Sequence, residues 1–371
     1  MRFSANIASL VPSATLAISA RAKQMKAAGE SVIDLSAGEP SFGTPDVAMR
    51  AAREFVDSGQ SGYPPTPGLP DLRAAVASYV NETTSDASVD PANVIITSGC
   101  SEALALSLQT VTRRGDIVAV ESPTYFSVLR LIERMGLLAV EIDSDPETGL
   151  CLDALENAIE TMDIKAVVAV LNFSNPVGSL MPDADKERLV GMLEQADIPL
   201  IEDDIHGDLH FGEQRPAIAK CYDRKGMVLT CSSFSKTIAP GYRIGWVIAD
   251  RYRNDVVELK HATSSAMCSL PQMAMADYLR SDRSVVAVYI DGHTDDVGSA
   301  TSNIRLARQR AEALADFFTN AGVDPELIKV RSSSSIVSVV FGSTFLTPKT
   351  TLWAIRSPRE PSFFSFSSRL R

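Results

Sequence analysis

The sequence predicts an α/β fold built on a mostly parallel, doubly wound sheet, and three observations predict it. Short apolar runs recur through residues 94–250, amphipathic helical stretches separate several of them, and polar, turn-forming groups follow the runs. Strands buried on both faces read as continuous apolar runs, and their alternation with helices marks a parallel sheet covered on both sides.

Taken in order, residues 14–28 read as a helix, followed by the loop Ser36-Ala37-Gly38-Glu39-Pro40-Ser41-Phe42. The turn Gly62-Tyr63-Pro64-Pro65-Thr66-Pro67-Gly68 leads into a helix around residues 71–80, and 81–93 is a polar connector. Strand-like runs then fall at 94–97, 117–120, 138–142, 166–171, 199–202, 227–230 and 244–248, with helical stretches at 101–112, 124–135, 152–162 and 184–195. Beyond residue 282 the character changes. A strand at 285–290 precedes a polar turn at 291–298. Ile304, Ala307, Ala311, Leu314, Phe318 and Ala321 then step by three and four along one helix face, capped by Gly322. From Ser332 the tail is rich in Ser, Phe, Thr and Arg and shows no period. The expected organisation is an N-terminal arm and entry segment at 1–80, the α/β domain at 81–282, an α+β fragment at 283–331 and an irregular tail at 332–371.

The bulk numbers narrow the function classes. At 371 residues, 45% hydrophobic and 22% charged, the chain is globular and long enough for two or more domains. A formal net charge of -11 argues against nucleic acid or an anionic membrane as partner. Five scattered cysteines with no CxxC pair fit free thiols rather than disulfides or zinc. The first residues show no clean signal-peptide core, and no run is of membrane length, so a cytoplasmic address is the default.

In parallel sheets ligands bind at the carboxyl ends of strands, so the turns there carry the search. Ser98-Gly99-Cys100-Ser101 opens a helix, whose free N–H groups and positive dipole end suit a phosphate; the plainer reading is an ordinary helix cap. Tyr125, in Pro123-Thr124-Tyr125-Phe126, is placed to stack on a flat ring or to serve the core. Asn172-Phe173-Ser174-Asn175-Pro176-Val177-Gly178 is a turn able to aim an amide into the cleft. Glu202-Asp203-Asp204-Ile205-His206 puts carboxylates after an apolar strand, costly unless paired, and a cationic ring nitrogen would pair one of them. A metal is the rival there, because His206 and His210 stand at i, i+4, but no HExxH or thiolate pair accompanies them. Finally, Ser232-Ser233-Phe234-Ser235-Lys236 sets a lysine seven residues before Arg243. Lys236 is suited to a Schiff base, with Arg243, Ser233 and Ser235 on a phosphate; the plainer reading is a solvated loop lysine. Together these groups describe one ligand, a planar ring bearing a phosphate, an aldehyde and a basic nitrogen: pyridoxal 5′-phosphate.

The motifs GEPSF, GYPPTPGLPDLR, TSGCSEAL, SPTYF, NPVG, EDDIHGDL and SSFSKTIAPGYRIGW make the chain resemble the fold-type I, class I/II aminotransferases over about residues 7–279. Residues 1–80 are similar to the aspartate-type branch, and 90–280 to the aminotransferase-like domain of GntR-type regulators, without their DNA-binding winged helix. The resemblance implies that residues 81–282 are the cofactor-binding large domain and that the activity is amino transfer between an amino acid and a 2-oxo acid. It implies that Lys236 carries the Schiff base and shuttles the Cα proton, Asp203 pairs with the ring nitrogen, Asn175 bonds the ring oxygen and Tyr125 stacks. It implies that Gly99, Cys100, Ser101, Ser233 and Arg243 hold the phosphate and that Gly38 lies near the substrate carboxylate. Tyr63 would reach the phosphate of a neighbouring subunit, hence a homodimer.

Two departures stand out. His206 occupies the position where the family usually has a tyrosine that bonds the ring oxygen. After residue 282 the expected small domain, with its carboxylate-gripping arginine, is not recognisable. Residues 285–330 instead resemble the middle of the outer-membrane protein A-like peptidoglycan-binding domain, in which Asp295 and Arg310 would grip a diaminopimelate residue. Three functions are therefore carried forward: a transaminase, a module that senses the cofactor or its amino-acid adduct, and a peptidoglycan-binding fusion.

Overall fold

The structure, a computed structural model, describes residues 14–33, 38, 40, 43–212, 214–281, 289–292, 328–333, 336–341 and 366–367. The chain forms two compact units, Met1–Leu279 and Arg280–Arg371.

The first unit opens with three helices, α1 (Ala14–Ala27), α2 (Asp46–Asp57) and α3 (Pro70–Thr83). Pro70 starts α3 at the position where its missing N–H costs nothing. Leu72, Val76 and Val80, one helical turn apart, form its buried face. The sequence reading passed over α2, which buries Ala48 and Ala51.

The sheet is made of β1 (Val94–Ser98), β2 (Ile117–Ser122), β3 (Leu138–Asp145), β4 (Gly149–Leu150), β5 (Ile164–Ala169), β6 (Leu200–Asp203), β7 (Val228–Ser233) and β8 (Ile244–Ile248). Its order is β1-β8-β7-β6-β5-β2-β3-β4. The β3–β2–β5–β6–β7 stretch is parallel, and β8 runs antiparallel to both β7 and β1. The reversal of β8 has a simple cause. Only residues 234–243 separate it from β7, and a parallel return needs a crossover of about a dozen residues or more.

Helices α4 (Cys100–Val111), α5 (Phe126–Met135), α6 (Leu152–Thr161), α7 (Asp183–Ala196), α8 (Arg253–Thr263) and α9 (Ser269–Arg280) complete the unit. Successive strand residues point to opposite faces, which sorts the helices. Val118, Val120 and Val168 join α4, α5 and α8 in one core cluster, while Ala119, Val167 and Ala169 join α6 and α7 in another. A third cluster packs α3 and α9 on Val94, Ile96, Ile244 and Trp246. The sheet is thus doubly wound and mostly parallel, as the sequence predicts.

The second unit contributes an antiparallel sheet of β9 (Tyr289–Gly292), β10 (Ile328–Ser333), β11 (Ile336–Phe341) and β12 (Phe366–Ser367), in the order β10-β11-β9-β12. This corrects two expectations. Asp291 and Gly292, read as turn, end a strand, and part of the segment read as an irregular tail is strand. The run Ile336-Val337-Ser338-Val339-Val340-Phe341 is rich in β-branched residues, a local preference that outweighs its lack of polar alternation. The expected helix at 304–321, together with Asp295 and Arg310, lies outside the described residues.

Candidate active site

The parallel strands end at one edge, and β8, being reversed, begins there. That brings Ser98 and Ser233 beside the residues that open β8, pairing Ser98 with Ile244 and Ser233 with Gly245. The result is a tight corner. Gly99 has φ of +76°, in the left-handed region, and a Cβ on it would run into the Arg243 guanidinium. A Cβ on Gly245 would in turn collide with the Gly99 backbone. Arg243 donates from one terminal nitrogen to the Ser98 carbonyl at 3.0 Å and from the other to Ser235 Oγ at 3.2 Å. The Ser235 N–H donates to Ser233 Oγ at 3.2 Å. A guanidinium, small hydroxyls and the N-terminus of α4 therefore converge where a side chain on residue 99 would block access. That donor set fits a phosphate. Ser101 is exposed on the first turn of α4.

One strand over, Asp203 ends β6, 3% exposed. Cys100 Sγ donates to its Oδ1 at 3.2 Å and the Ile205 N–H to the same oxygen at 3.3 Å. Neither bond uses Oδ2. Burial pushes the Asp203 carboxyl up to about 6, although the two donors and the Lys236 charge pull the other way. A cationic partner on Oδ2 would offset that burial cost, so the site suits a protonated ring nitrogen.

Lys236, half-buried on the loop after β7, donates from Nζ to the Gly38 carbonyl at 2.8 Å. The N-terminal segment is thereby joined to the lysine. The next residue, Thr237, is buried, and its hydroxyl has no partner among the described residues. His206 Nδ1 lies 3.1 Å from the Phe173 carbonyl, an acceptor that makes Nδ1 the donor. Phe173 itself has φ of +57°. Burial first, then the Lys236 charge, lowers the His206 pKa below its usual value. Tyr125 caps α5, half-buried, with its ring edge-on to Phe126 at 4.9 Å between centroids. Asn175 is exposed, and the peptide bond to Pro176 is cis. Residues 204–211 form a loop, so His206 and His210 do not share the helix face that a metal reading needs. Tyr63 is 98% exposed.

Sequence reasoning marked Glu202 and Asp204 as carboxylates that need partners, but it missed those partners, and it missed Arg215 and Glu121. Asp204 is buried and accepts from Asn172 Nδ2 at 2.8 Å and from Arg215. Arg215 also reaches Asp208 at 2.8 Å. Burial opposes the guanidinium charge, but Asp204 and Asp208 hold its pKa above the usual value. Glu202 accepts from the Ala219 N–H at 2.8 Å and Thr230 Oγ1 at 2.9 Å; burial, then Asp204, pushes its carboxyl up to about 7. Glu121, 1% exposed at the end of β2, accepts from the Val170 N–H at 3.1 Å, and burial pushes it up to about 8. A charged residue closing an apolar run was the available signal for Glu121.

The Glu121 shift has a sign that can be checked. The folded, cofactor-free protein keeps this proton well above the usual carboxylate range, so it binds more protons than the unfolded chain between those limits. Stability from this group therefore falls as pH rises through that window. Glu121→Gln keeps an acceptor for Val170 and cannot ionise. Denaturant midpoints compared between about pH 5 and about pH 8.5 are expected to fall less steeply in the variant; equal slopes would remove Glu121 from the account.

Several known proteins are similar to this chain. It is 41% identical over 218 residues to the uncharacterized HTH-type transcriptional regulator YjiR of Escherichia coli, which covers 59% of this chain and 46% of the regulator. The chain thus spans less than half of that relative. It is 31% identical over 276 residues to the aspartate/prephenate aminotransferase of Thermus thermophilus, covering 72% of this chain and 68% of the relative. The solved structure of Thermus thermophilus aspartate aminotransferase with maleate shares the fold, with a TM-score of 0.69 and 24% identity over 91% of this chain and 85% of that one. The family model for aminotransferase class I and II matches residues 30–347, which runs through the segment likened above to a wall-binding domain. The chain belongs to the aminotransferase class I and II family, whose members depend on pyridoxal 5′-phosphate.

Proposed function

We propose that the protein transfers an amino group between an amino acid and a 2-oxo acid, using pyridoxal 5′-phosphate. The observation that carries this reading is the convergence of Lys236, Asp203 and Arg243 on one sheet edge, each in the setting its role needs. When bound, the cofactor supplies an electron sink that makes an amino acid's Cα proton acidic.

The chain's own residues supply the rest. Lys236 Nζ would be the nucleophilic amine that holds the cofactor's aldehyde carbon, and the base that takes the Cα proton and returns it. Asp203 keeps its negative charge against the ring nitrogen and so holds that nitrogen protonated. Arg243, Ser233 and the Gly99–Ser101 N–H groups anchor the phosphate, fixing where the reacting atoms sit relative to Nζ. Tyr125 covers one ring face. Asn175 and His206 hydrogen-bond the ring oxygen. Gly38 lines the place of the substrate carboxylate. Tyr63, exposed on its own subunit, reaches the phosphate of a second copy in a homodimer; a monomer in sedimentation at micromolar concentration would overturn that part.

The test is an absorbance titration. Purified protein given pyridoxal phosphate is expected to develop a lysine-linked visible band. That band is expected to convert to the pyridoxamine form with some members of an amino-acid panel and to return with a 2-oxo acid. A band that never converts would favour a second reading, a sensing module without turnover. That reading is motivated by the 41% identity to a transcriptional regulator. Absence of any band would defeat both.

A further inference from the structure

The first residue of α4 was grouped with the phosphate seat, and its backbone N–H belongs there. Its side chain does something else. Cys100 is 8% exposed, and its thiol turns under the site to Asp203, with Sγ 3.2 Å from Oδ1. A thiol is one of the weakest donors a side chain offers, and in water it would add nothing to a carboxylate. Here the carboxylate is buried, and each donor to a buried charge counts for more. Among the described residues two donors reach Asp203, the thiol and the Ile205 N–H, and both reach the same oxygen.

We propose that Cys100 is a positioning residue for Asp203: its S–H proton pins Oδ1, so that the carboxylate stays charged and presents Oδ2 to a basic ring nitrogen. The idea rests on the pyridoxal-phosphate reading and adds to it a residue whose role is electrostatic rather than phosphate-binding. Burial raises the thiol's own pKa well above its usual value, and the Asp203 charge raises it further, so the donor proton remains on sulfur across the working pH range. Cys100 thus works only in the protonated state. The Ile205 N–H is fixed by the backbone two residues on. Without the thiol, Oδ1 keeps that one donor, the charged form of Asp203 loses support, and the carboxylate is freer to turn.

Two measurements separate this inference from the reading beneath it. The first uses the cofactor-free protein. The S–H stretching band of Cys100, isolated as the infrared difference between wild type and Cys100→Ala, is expected to be displaced from that of an exposed thiol and to move in Asp203→Asn. A band at the exposed-thiol position, or one indifferent to Asp203→Asn, would overturn the proposal. The second compares the affinity of pyridoxal phosphate with that of its analogue carrying carbon in place of the ring nitrogen. Wild type is expected to prefer the natural ring. Cys100→Ala is expected to lose roughly 5- to 10-fold of that preference, and Cys100→Ser, which restores a donor, to regain most of it. An unchanged preference in Cys100→Ala would also overturn the proposal. A protein that binds neither ring would defeat the cofactor reading, while the infrared result would still report on the thiol.

Discussion

Lys236→Ala is expected to lose turnover by about 10²–10⁴-fold or more, the range that a positioned acid–base group contributes, with the covalent link lost in addition. The visible band should vanish with it. The fold should hardly notice. Lys236 is half-buried on a loop, and among the described residues its hydrogen bond is one donation to the Gly38 carbonyl at 2.8 Å. Losing that bond costs about 1 kcal/mol. The expected signature is therefore a split: activity and band gone, thermal midpoint nearly unchanged. Steady-state rates with the donor found by the amino-acid panel, set beside a melting curve, check both halves. Turnover within tenfold of wild type would remove Lys236 from the chemistry. A collapse of the midpoint would show that the loop depends on the lysine structurally.

The largest expected effect on stability lies elsewhere, at Arg215. Its side chain is 8% exposed and holds two acids, the buried Asp204 and the half-buried Asp208, whose side chains are 4% and 15% exposed. Removing one partner of a buried ion pair costs about 3–5 kcal/mol, because the remaining charge is left uncompensated. Arg215→Ala leaves Asp204 buried with the Asn172 amide as its donor, and Asp208 with the Tyr79 hydroxyl. The thermal midpoint of the cofactor-free protein should fall by on the order of 10 °C. Asp204 also accepts from Asn172 Nδ2 at 2.8 Å, and its own carbonyl takes the Ser232 hydroxyl at 2.9 Å. Loosening it therefore disturbs the strand ends that carry Asp203 and Ser233. Cofactor affinity should drop together with stability, unlike in Lys236→Ala. A midpoint within a degree or two of wild type would mean that the acids find other partners.

Much of this was legible in the residues themselves. The lysine behind small hydroxyls, the carboxylates closing an apolar strand and the glycine opening α4 each announce their place through local chemistry. The groups that were not legible are those whose meaning depends on a distant neighbour. Nothing near Glu121 in sequence says that its carboxyl meets the Val170 N–H across β2 and β5. Nothing near Arg215 points to Asp204 rather than to solvent. Cys100 sits in a phosphate-binding motif and reads as part of it; its thiol is assigned to Asp203 only because β6 ends beneath the start of α4.

While α2, α8 and α9 were not read from it, the amino-acid sequence by itself determined strands β1–β3 and β5–β8, helices α1 and α3–α7, and the strand-end turns in which the chemistry sits. These follow from periodicity, turn residues and the cost of ending an apolar run on a charge, all of which act over a few residues. The tertiary structure alone decided that β1 lies beyond β8 rather than beside β2, and that Gly38 meets Lys236. It also decided that the acids under the site are paired or held with their protons. Strand order, long-range pairing and burial are set by which distant surfaces exclude water together, and no local pattern encodes that.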